Sequence, residues 1–277
     1  MKLHVDSVIR LNNDYQIPRL GLGVFQVTAG QFAKNLIIDA FRCGYRHIDT
    51  AKVYGNERTV GEAVRQCGIP RDDIFVTTKL WNSDQGFDTT ISAFNESLKQ
   101  LGLDYIDLYL IHWPLEDGRV ESWRAIETLY EKGNVRSIGV SNFMIDHLEE
   151  LIEQASIVPA LNQIELHPYN YQYRKDLVDF CKHNGIRIEA YSPLTRGYRL
   201  SDQKLVKMAK KYGKTSAQIL IRWSLQKDFI VIPKSANIDR VKENSDVFDF
   251  SMDSADVEEI DSYNEDLIVC WDPAEVK

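Results

Sequence analysis

One pattern repeats along this chain: a short β-rich run, then a stretch with helical spacing. The runs are "RLGLGVF" (19–25), "YRHID" (45–49), "IFVTTK" (74–79), "IDLYLIH" (106–112), "RSIGVSN" (136–142), "ALNQIE" (160–165), "IRIEAYS" (186–192) and "FIVIPKS" (229–235). They read as apolar on both faces, as parallel strands covered by helices should be. The segments between them carry apolar residues three and four apart. "FDTTISAFNESLKQLG" puts Ile91, Phe94, Leu98 and Leu101 on one face, with Asp88 as the expected N-cap and Gly102 at the end. "IDHLEELIEQ" is expected to start at Asp146 and carries Leu148, Leu151 and Ile152, while "TSAQILIRWSLQ" opens on Thr215. Eight strand–helix units on a chain of 277 residues predict an α/β fold of the (β/α)8 TIM barrel type. A doubly wound sheet gives the same alternation. However, the first run is followed by "QVTAGQ", and the G-x-G of "GLGVF" lacks the third glycine of a dinucleotide fingerprint. "VIRL" and "YQIP" around "NND" predict a short N-terminal β-hairpin ahead of the barrel. No composition break divides the chain, so residues 1–277 read as one domain.

Composition narrows the partners. The formal net charge is −8, which leaves no electrostatic footprint for nucleic acid but does not preclude a local basic pocket. Cys43, Cys67, Cys181 and Cys270 are far apart, with no C-x-x-C pair and no zinc-ligand spacing, so a reducing compartment and no metal are expected. The opening residues hold no long apolar core of a secretory signal. No stretch approaches the roughly 18 apolar residues of a membrane span. The expectation is a cytoplasmic monomer, since no long apolar stripe calls for a partner.

In a barrel, function gathers at the C-terminal ends of the strands. Those ends read Asp49, Lys79, His112, Ser141 with Asn142, Gln163, Tyr191 with Ser192, and Lys234 with Ser235. Taken singly, each has a plain reading: Asp49 forms a turn, Lys79 sits on the surface, His112 is structural and Tyr54 packs. Taken together they gain force, because three successive strands deliver Asp49, Lys79 and His112 to neighbouring points, with Tyr54 on the first loop. A phenol with its ordinary pKa of about 10 is a poor acid–base group at neutral pH. The Lys79 ammonium is expected to lower it, and Asp49 to hold Lys79 cationic. Tyr54 can then protonate a developing alkoxide while a neutral His112 donates a hydrogen bond to the same oxygen. With no obvious nucleophile, the set suits carbonyl reduction by an external hydride. Two alternatives remain: a Schiff-base aldolase with Lys79 as nucleophile, which Asp49 opposes, and a non-catalytic cofactor-sensing protein.

Six blocks carry a family resemblance: "GYRHIDTAKVYGNE", "LYLIHWP", "IGVSNF", "NQIELHP", "AYSPL" and "IPKSANIDRVKEN", in that order over 20–250. With them the chain resembles the aldo-keto reductases, and "VTTKLWNSDQG" resembles their short microbial and protozoal members, such as the diketogluconate reductase-like and prostaglandin F synthase-like enzymes. The resemblance implies a barrel that binds NADPH without a Rossmann domain, with Asp49, Tyr54, Lys79 and His112 as catalytic tetrad and Tyr54 as general acid. It implies that Tyr191 stacks on the nicotinamide, that Ser141, Asn142 and Gln163 hold the carboxamide, and that Gly23, Val24, Phe25 and Asp49 lie beside the cofactor. Ser192 and Leu194 would line the pyrophosphate path. Lys234, Ser235 and Arg240 would meet the 2′-phosphate, and Glu243 and Asn244 the adenine. Residue chemistry supports the phosphate assignment, since Lys234, Ser235, Arg240 and the amides of a helix start make an anion pocket that favours NADPH over NADH.

For a small-molecule carbonyl substrate, Phe25, Tyr54, Trp81, His112 and Trp113 are the expected walls. Some positions depart from the family pattern. Phe25 stands where many members have Trp or Tyr, Lys52 where a small or apolar residue is common, and Thr195 where glycine is common. The C-terminal stretch after Asn264 is short beside longer animal members, which predicts an open pocket, and Trp271 on it could reach the site or simply pack.

Overall fold

A computed structural model describes residues 3–273 and Val276; Met1, Lys2, Ala274, Glu275 and Lys277 lie outside the described residues. The β-rich runs form parallel strands, most of them shorter than the runs themselves: β3 (Leu22–Gly23), β4 (His47–Asp49), β5 (Phe75–Leu80), β6 (Ile106–Ile111), β7 (Val135–Ser141), β8 (Leu161–Glu165), β9 (Arg187–Tyr191) and β10 (Ile230–Val231). They pair in chain order as one eight-stranded sheet. The sheet's two ends meet: Gly21 N–H donates to Val231 O at 2.9 Å, and Val231 N–H to Arg19 O at 2.9 Å. At Gly23 a Cβ would stand 3.1 Å from the Ile232 carbonyl oxygen, so glycine lets the first and last strands approach. Every residue of β5 and β6 is buried, as strands with helices outside and side chains inside require.

The helices follow the alternation. One helix occupies each crossover up to β9: α1 (Gln31–Arg42), α2 (Glu57–Gln66), α3 (Phe87–Leu101), α4 (Arg119–Glu131), α5 (Ile145–Gln154) and α6 (Lys175–His183). Two helices, α7 (Gln203–Tyr212) and α8 (Ser216–Gln226), separate β9 from β10, and α9 (Ile238–Ser245) and α10 (Ser254–Asp261) follow. Thr215 caps α8 as expected: its hydroxyl accepts the Gln218 N–H, and Gln218 Oε1 accepts the Thr215 N–H. Gly102 ends α3 in the left-handed region at φ 61°. Asp88 does not cap α3. Gly86 holds that position at φ 117°, and Asp88 lies second in the helix, where a carboxylate suits the dipole without capping. The buried stripe of α3 runs through Thr90, Ala93, Phe94, Ser97 and Leu101, leaving Ile91 and Leu98 half-buried. Helix α5 starts one residue before Asp146, and Ile152 is half-buried. No helix among the described residues is long and apolar enough to cross a membrane.

The expected hairpin is present as β1 (Val8–Arg10) and β2 (Gln16–Pro18). It closes the N-terminal end of the barrel, where Ile9, Leu11 and Ile17 pack with Phe75, Leu108, Leu110, Leu161 and Ile230. Its turn is tied down by Asn12 Nδ2 to Pro159 O at 3.1 Å and Asn13 Nδ2 to Arg136 O at 2.9 Å. Above this plug the interior turns polar. Along β5, Phe75 meets the hairpin, Thr77 bonds His47, and Lys79 pairs with Asp49, as alternate residues of a strand share one face. The apolar end anchors the barrel and the polar end is left for chemistry.

Candidate active site

Lys79 is the pivot. Its side chain is fully buried, and its ammonium donates to Asp49 Oδ1 at 2.7 Å, Asp49 Oδ2 at 2.8 Å and the Thr50 carbonyl at 2.8 Å. Three donors meet three acceptors, which keeps the buried charge tolerable. Burial acts to lower the Lys79 pKa, but the charges of Asp49 and Tyr54 and the bonds to Asp49 outweigh it and leave it raised. Tyr54 lies in the 3-10 turn Lys52–Tyr54 after β4, with Lys79 Nζ 5.1 Å from its ring centre. The turn is fixed by the buried Asn56, whose amide donates to Val24 O and Val27 O at 3.0 Å and accepts from the Thr50 hydroxyl at 2.6 Å.

The expected lowering of the Tyr54 pKa does not prevail. Burial raises it more than Lys79 lowers it, and Asp49 adds to the rise. The phenol is therefore fully protonated at neutral pH, the state a proton donor needs. His112 follows β6 with its ring edge-on to Tyr54 at 5.8 Å and to Trp81 at 5.3 Å. Burial, then the nearby Lys79 charge, holds its pKa well below the usual histidine value, so the ring is neutral. Its Nδ1 is buried without a partner among the described residues, which leaves Nε2 as the ring nitrogen for the site.

The neighbouring strands bring the expected nicotinamide residues together. The Ser141 hydroxyl donates to Gln163 O at 3.0 Å, and Asn142 Nδ2 to His112 O at 2.9 Å. The Tyr191 hydroxyl donates to Asn142 Oδ1 at 2.8 Å. Gln163 lies mid-strand rather than at a strand end, and its amide donates to Asp49 Oδ2 at 2.7 Å and to Glu189 Oε2 at 2.6 Å. Only its carbonyl oxygen remains for a carboxamide. Val24 is fully buried, with its N–H given to Asp49 O and its carbonyl taken by Val27 N–H and Asn56, so the structure does not leave it free for a cofactor, whereas Phe25 is 40 % exposed with its ring 5.0 Å from Tyr54.

At the far end, Lys234 is exposed and Arg240 sits in the first turn of α9. Two of the expected helix amides are already taken. Asn237 caps α9, taking the N–H groups of Asp239 at 2.8 Å and Arg240 at 3.2 Å. The Ser235 hydroxyl accepts the Asn237 N–H at 3.1 Å. Anion binding there falls to side-chain charge. Lys234 has its pKa lowered by burial and then by Arg196, so two cations face the same space. Glu243 accepts the Thr215 hydroxyl at 2.7 Å, and Asn244 is buried beside it in the same helix.

A model described as the Aldo/keto reductase family matches residues 19–265. The chain belongs to the aldo/keto reductase family. It is 45% identical to glyoxal reductase of Bacillus subtilis, over 100% of this chain and 99% of that one. It is 47% identical to 9,11-endoperoxide prostaglandin H2 reductase of Trypanosoma cruzi, over 96% and 95%. A variant of Gox0644 solved in complex with NADPH superposes with a TM-score of 0.91 at 40% identity, covering 98% of this chain and 99% of that one.

The departures of this reductase have physical readings. Lys52 donates to Asp84 Oδ2 at 2.7 Å, tying the turn that carries Tyr54 to the turn after β5 that follows Trp81. Thr195 takes the left-handed conformation at φ 51°, as do Ser192 at 48° and Arg196 at 50°. Such backbone costs a non-glycine residue about 1–2 kcal/mol. The Thr195 hydroxyl offsets part of this by donating to Leu194 O at 2.7 Å and accepting the Arg199 N–H at 3.1 Å. Trp271 does reach the mouth: it lies edge-on to Trp113 at 6.2 Å while 73 % exposed.

Four further residues escaped sequence reasoning. Asn56, Glu189 and Arg196 are three of them. The other is Glu165, whose buried carboxylate accepts the N–H groups of Val269 at 2.7 Å and Cys270 at 3.0 Å and so straps the C-terminal segment over the barrel. Its signal was a carboxylate ending the run "ALNQIE".

Proposed function

We propose that the reductase converts aldehydes and ketones to alcohols, with NADPH as hydride source and Tyr54 as proton source. The observation that carries this reading is the protonated Tyr54 phenol set against the Lys79 ammonium, which Asp49 holds, beside a neutral His112. NADPH, when bound, would supply the hydride for the carbonyl carbon. His112 Nε2 donates a hydrogen bond to the carbonyl oxygen and orients it. Tyr54 passes its hydroxyl proton to that oxygen as negative charge develops, and the Lys79 ammonium stabilises the phenolate left behind. The donor set fits the cofactor. Ser141, Asn142 and Gln163 offer amide and hydroxyl groups near Tyr191, and Lys234, with Arg196 beside it, and Arg240 offer cations for phosphate. Phe25, Trp81 and Trp113 form an aromatic wall for the substrate, with Trp271 at its rim. Residues 1–277 act as one domain and as a monomer, and the four free cysteines suit the reducing cytosol.

The aldolase reading lacks support. A Schiff-base lysine must shed its proton, whereas Lys79 spends all three donors on oxygen acceptors and has its pKa raised. The test is NADPH consumption, followed by absorbance, across a panel holding glyoxal, methylglyoxal and nitrobenzaldehyde. Steady turnover of at least one of them is expected. Bound NADPH with no turnover on any member would overturn the reading.

A further inference from the structure

Glu189 is a fully buried carboxyl in β9, inside the barrel and below the mouth. Gln163 stands beside it in the sheet register. Both hydrogens of the Gln163 amide are spent on carboxyl groups, one on Glu189 Oε2 and one on Asp49 Oδ2. Asp49 in turn takes two bonds from Lys79, whose ammonium lies below the Tyr54 ring. A continuous chain thus runs from Glu189 through Gln163, Asp49 and Lys79 to Tyr54. A buried carboxyl used only as filler could be replaced by an apolar residue at lower cost. We propose that Glu189 is a positioning residue for the reductase: through Gln163 it fixes the Asp49 carboxylate, and through Asp49 the Lys79 ammonium beneath Tyr54. The proposal rests on the tetrad roles given above.

The charges around Glu189 agree with this role. Asp49 and His47 face it from β4 and Lys79 from β5, while Gln163 faces it from β8; β10 offers only Ile230 and Val231. Burial first, then the charge of Asp49, pushes the Glu189 pKa up to about 8, against the pull of Gln163 and Lys79. His47, 3.7 Å away and pushed down to about 3 by burial and Lys79, is neutral and bonded to the Thr77 hydroxyl. Glu189 therefore carries a proton at neutral pH, and one amide does not sit between two anions. Above pH 8 it ionises and places a second negative charge near Asp49. That charge makes Tyr54 a weaker acid, so kcat falls. The folded protein also holds a proton that the unfolded chain releases. Stability is therefore lost as pH rises from the ordinary carboxyl range through about 8.

The test is kcat against pH at saturating substrate for wild type, Glu189→Gln and Glu189→Leu, with NADPH affinity by fluorescence and Tyr54→Phe as control. Glutamine copies the protonated acid in shape and still accepts from Gln163. Glu189→Gln is expected within about threefold of the wild-type kcat at neutral pH, while Glu189→Leu falls by about tenfold or more with NADPH affinity changed by less than about threefold. The wild type should lose kcat with a midpoint near 8, and Glu189→Gln should stay level through that range. Loss of the midpoint in Glu189→Gln supports the proposal even if Glu189→Leu does not fold. A midpoint kept in Glu189→Gln, no midpoint in the wild type, or a folded Glu189→Leu with wild-type kcat overturns it. If Tyr54→Phe loses turnover while the Glu189 variants match wild type, positioning alone fails. If Tyr54→Phe keeps turnover, the tetrad reading fails first.

Discussion

Around Lys79 every polar demand is met from within the chain: three donors, three oxygen acceptors, and no solvent exposure. Around Lys234 the opposite holds. That ammonium is exposed, Arg196 shares its space, and two amides of the following helix are already taken by Asn237. Lys79 lies near the end of β5 and Lys234 follows β10, at the same end of the barrel. The difference teaches what each half needs from a ligand. The tetrad is assembled before anything binds, so its cost is carried by folding. The cation cluster is left with mutual repulsion that only an anion relieves, so its completion is carried by binding.

The contrast breaks most sharply at Tyr54. Tyr54→Phe keeps the ring and removes the proton, so kcat should fall by about 10²–10⁴ while NADPH affinity by fluorescence titration stays nearly unchanged. Lost cofactor affinity instead would mean that Tyr54 belongs to the binding half. Next comes folding itself. Lys79→Met strands the buried Asp49 charge and should cost about 3–5 kcal/mol in denaturant unfolding, whereas Lys234→Met should leave the free protein no less stable. If both lysines prove equally dispensable to stability, the two halves do not differ as described. A third measurement sharpens the binding half. Arg240→Ala should weaken NADPH by about 1.5–3 kcal/mol, the size of a charge-assisted bond, and leave NADH almost untouched. Equal losses for both cofactors would show that Arg240 does not read the 2′-phosphate. The smallest effect belongs to the half-buried tie between the loops. Lys52→Met removes the Asp84 pair and should change stability by less than about 1 kcal/mol, with high salt erasing most of the difference. A larger, salt-insensitive loss would place Lys52 in the buried catalytic half instead.

Much of this was legible from the residues alone. Runs such as "IDLYLIH" and "FIVIPKS" were apolar at successive positions, and only strands covered on both faces tolerate that, so the barrel followed. Asp49, Lys79 and His112 were polar groups near the ends of such runs, where an apolar residue would be the default. Thr215 and Gly102 announced helix ends because capping depends on a few adjacent residues. Asp88 misled for the same local reason: an acid near a helix start suits the cap and the first turn alike, and the left-handed Gly86 took the cap. The anion pocket was half legible. Lys234 and Arg240 were visible as charges, but Asn237 claims the amides through its own side chain, and Arg196 arrives from another loop.

By itself, the sequence determined the order of strands and helices, the closing hairpin and the polar ring at the mouth, because periodicity and capping act over a few residues. Tertiary structure alone decided which of those polar groups answer one another. Gln163 turns inward to hold Asp49 and Glu189, and burial raises Tyr54 although Lys79 is near. Those outcomes depend on what lies across the barrel and on how far water is kept out. Both arise when the first strand closes on the last, and neither is a property of any stretch of chain.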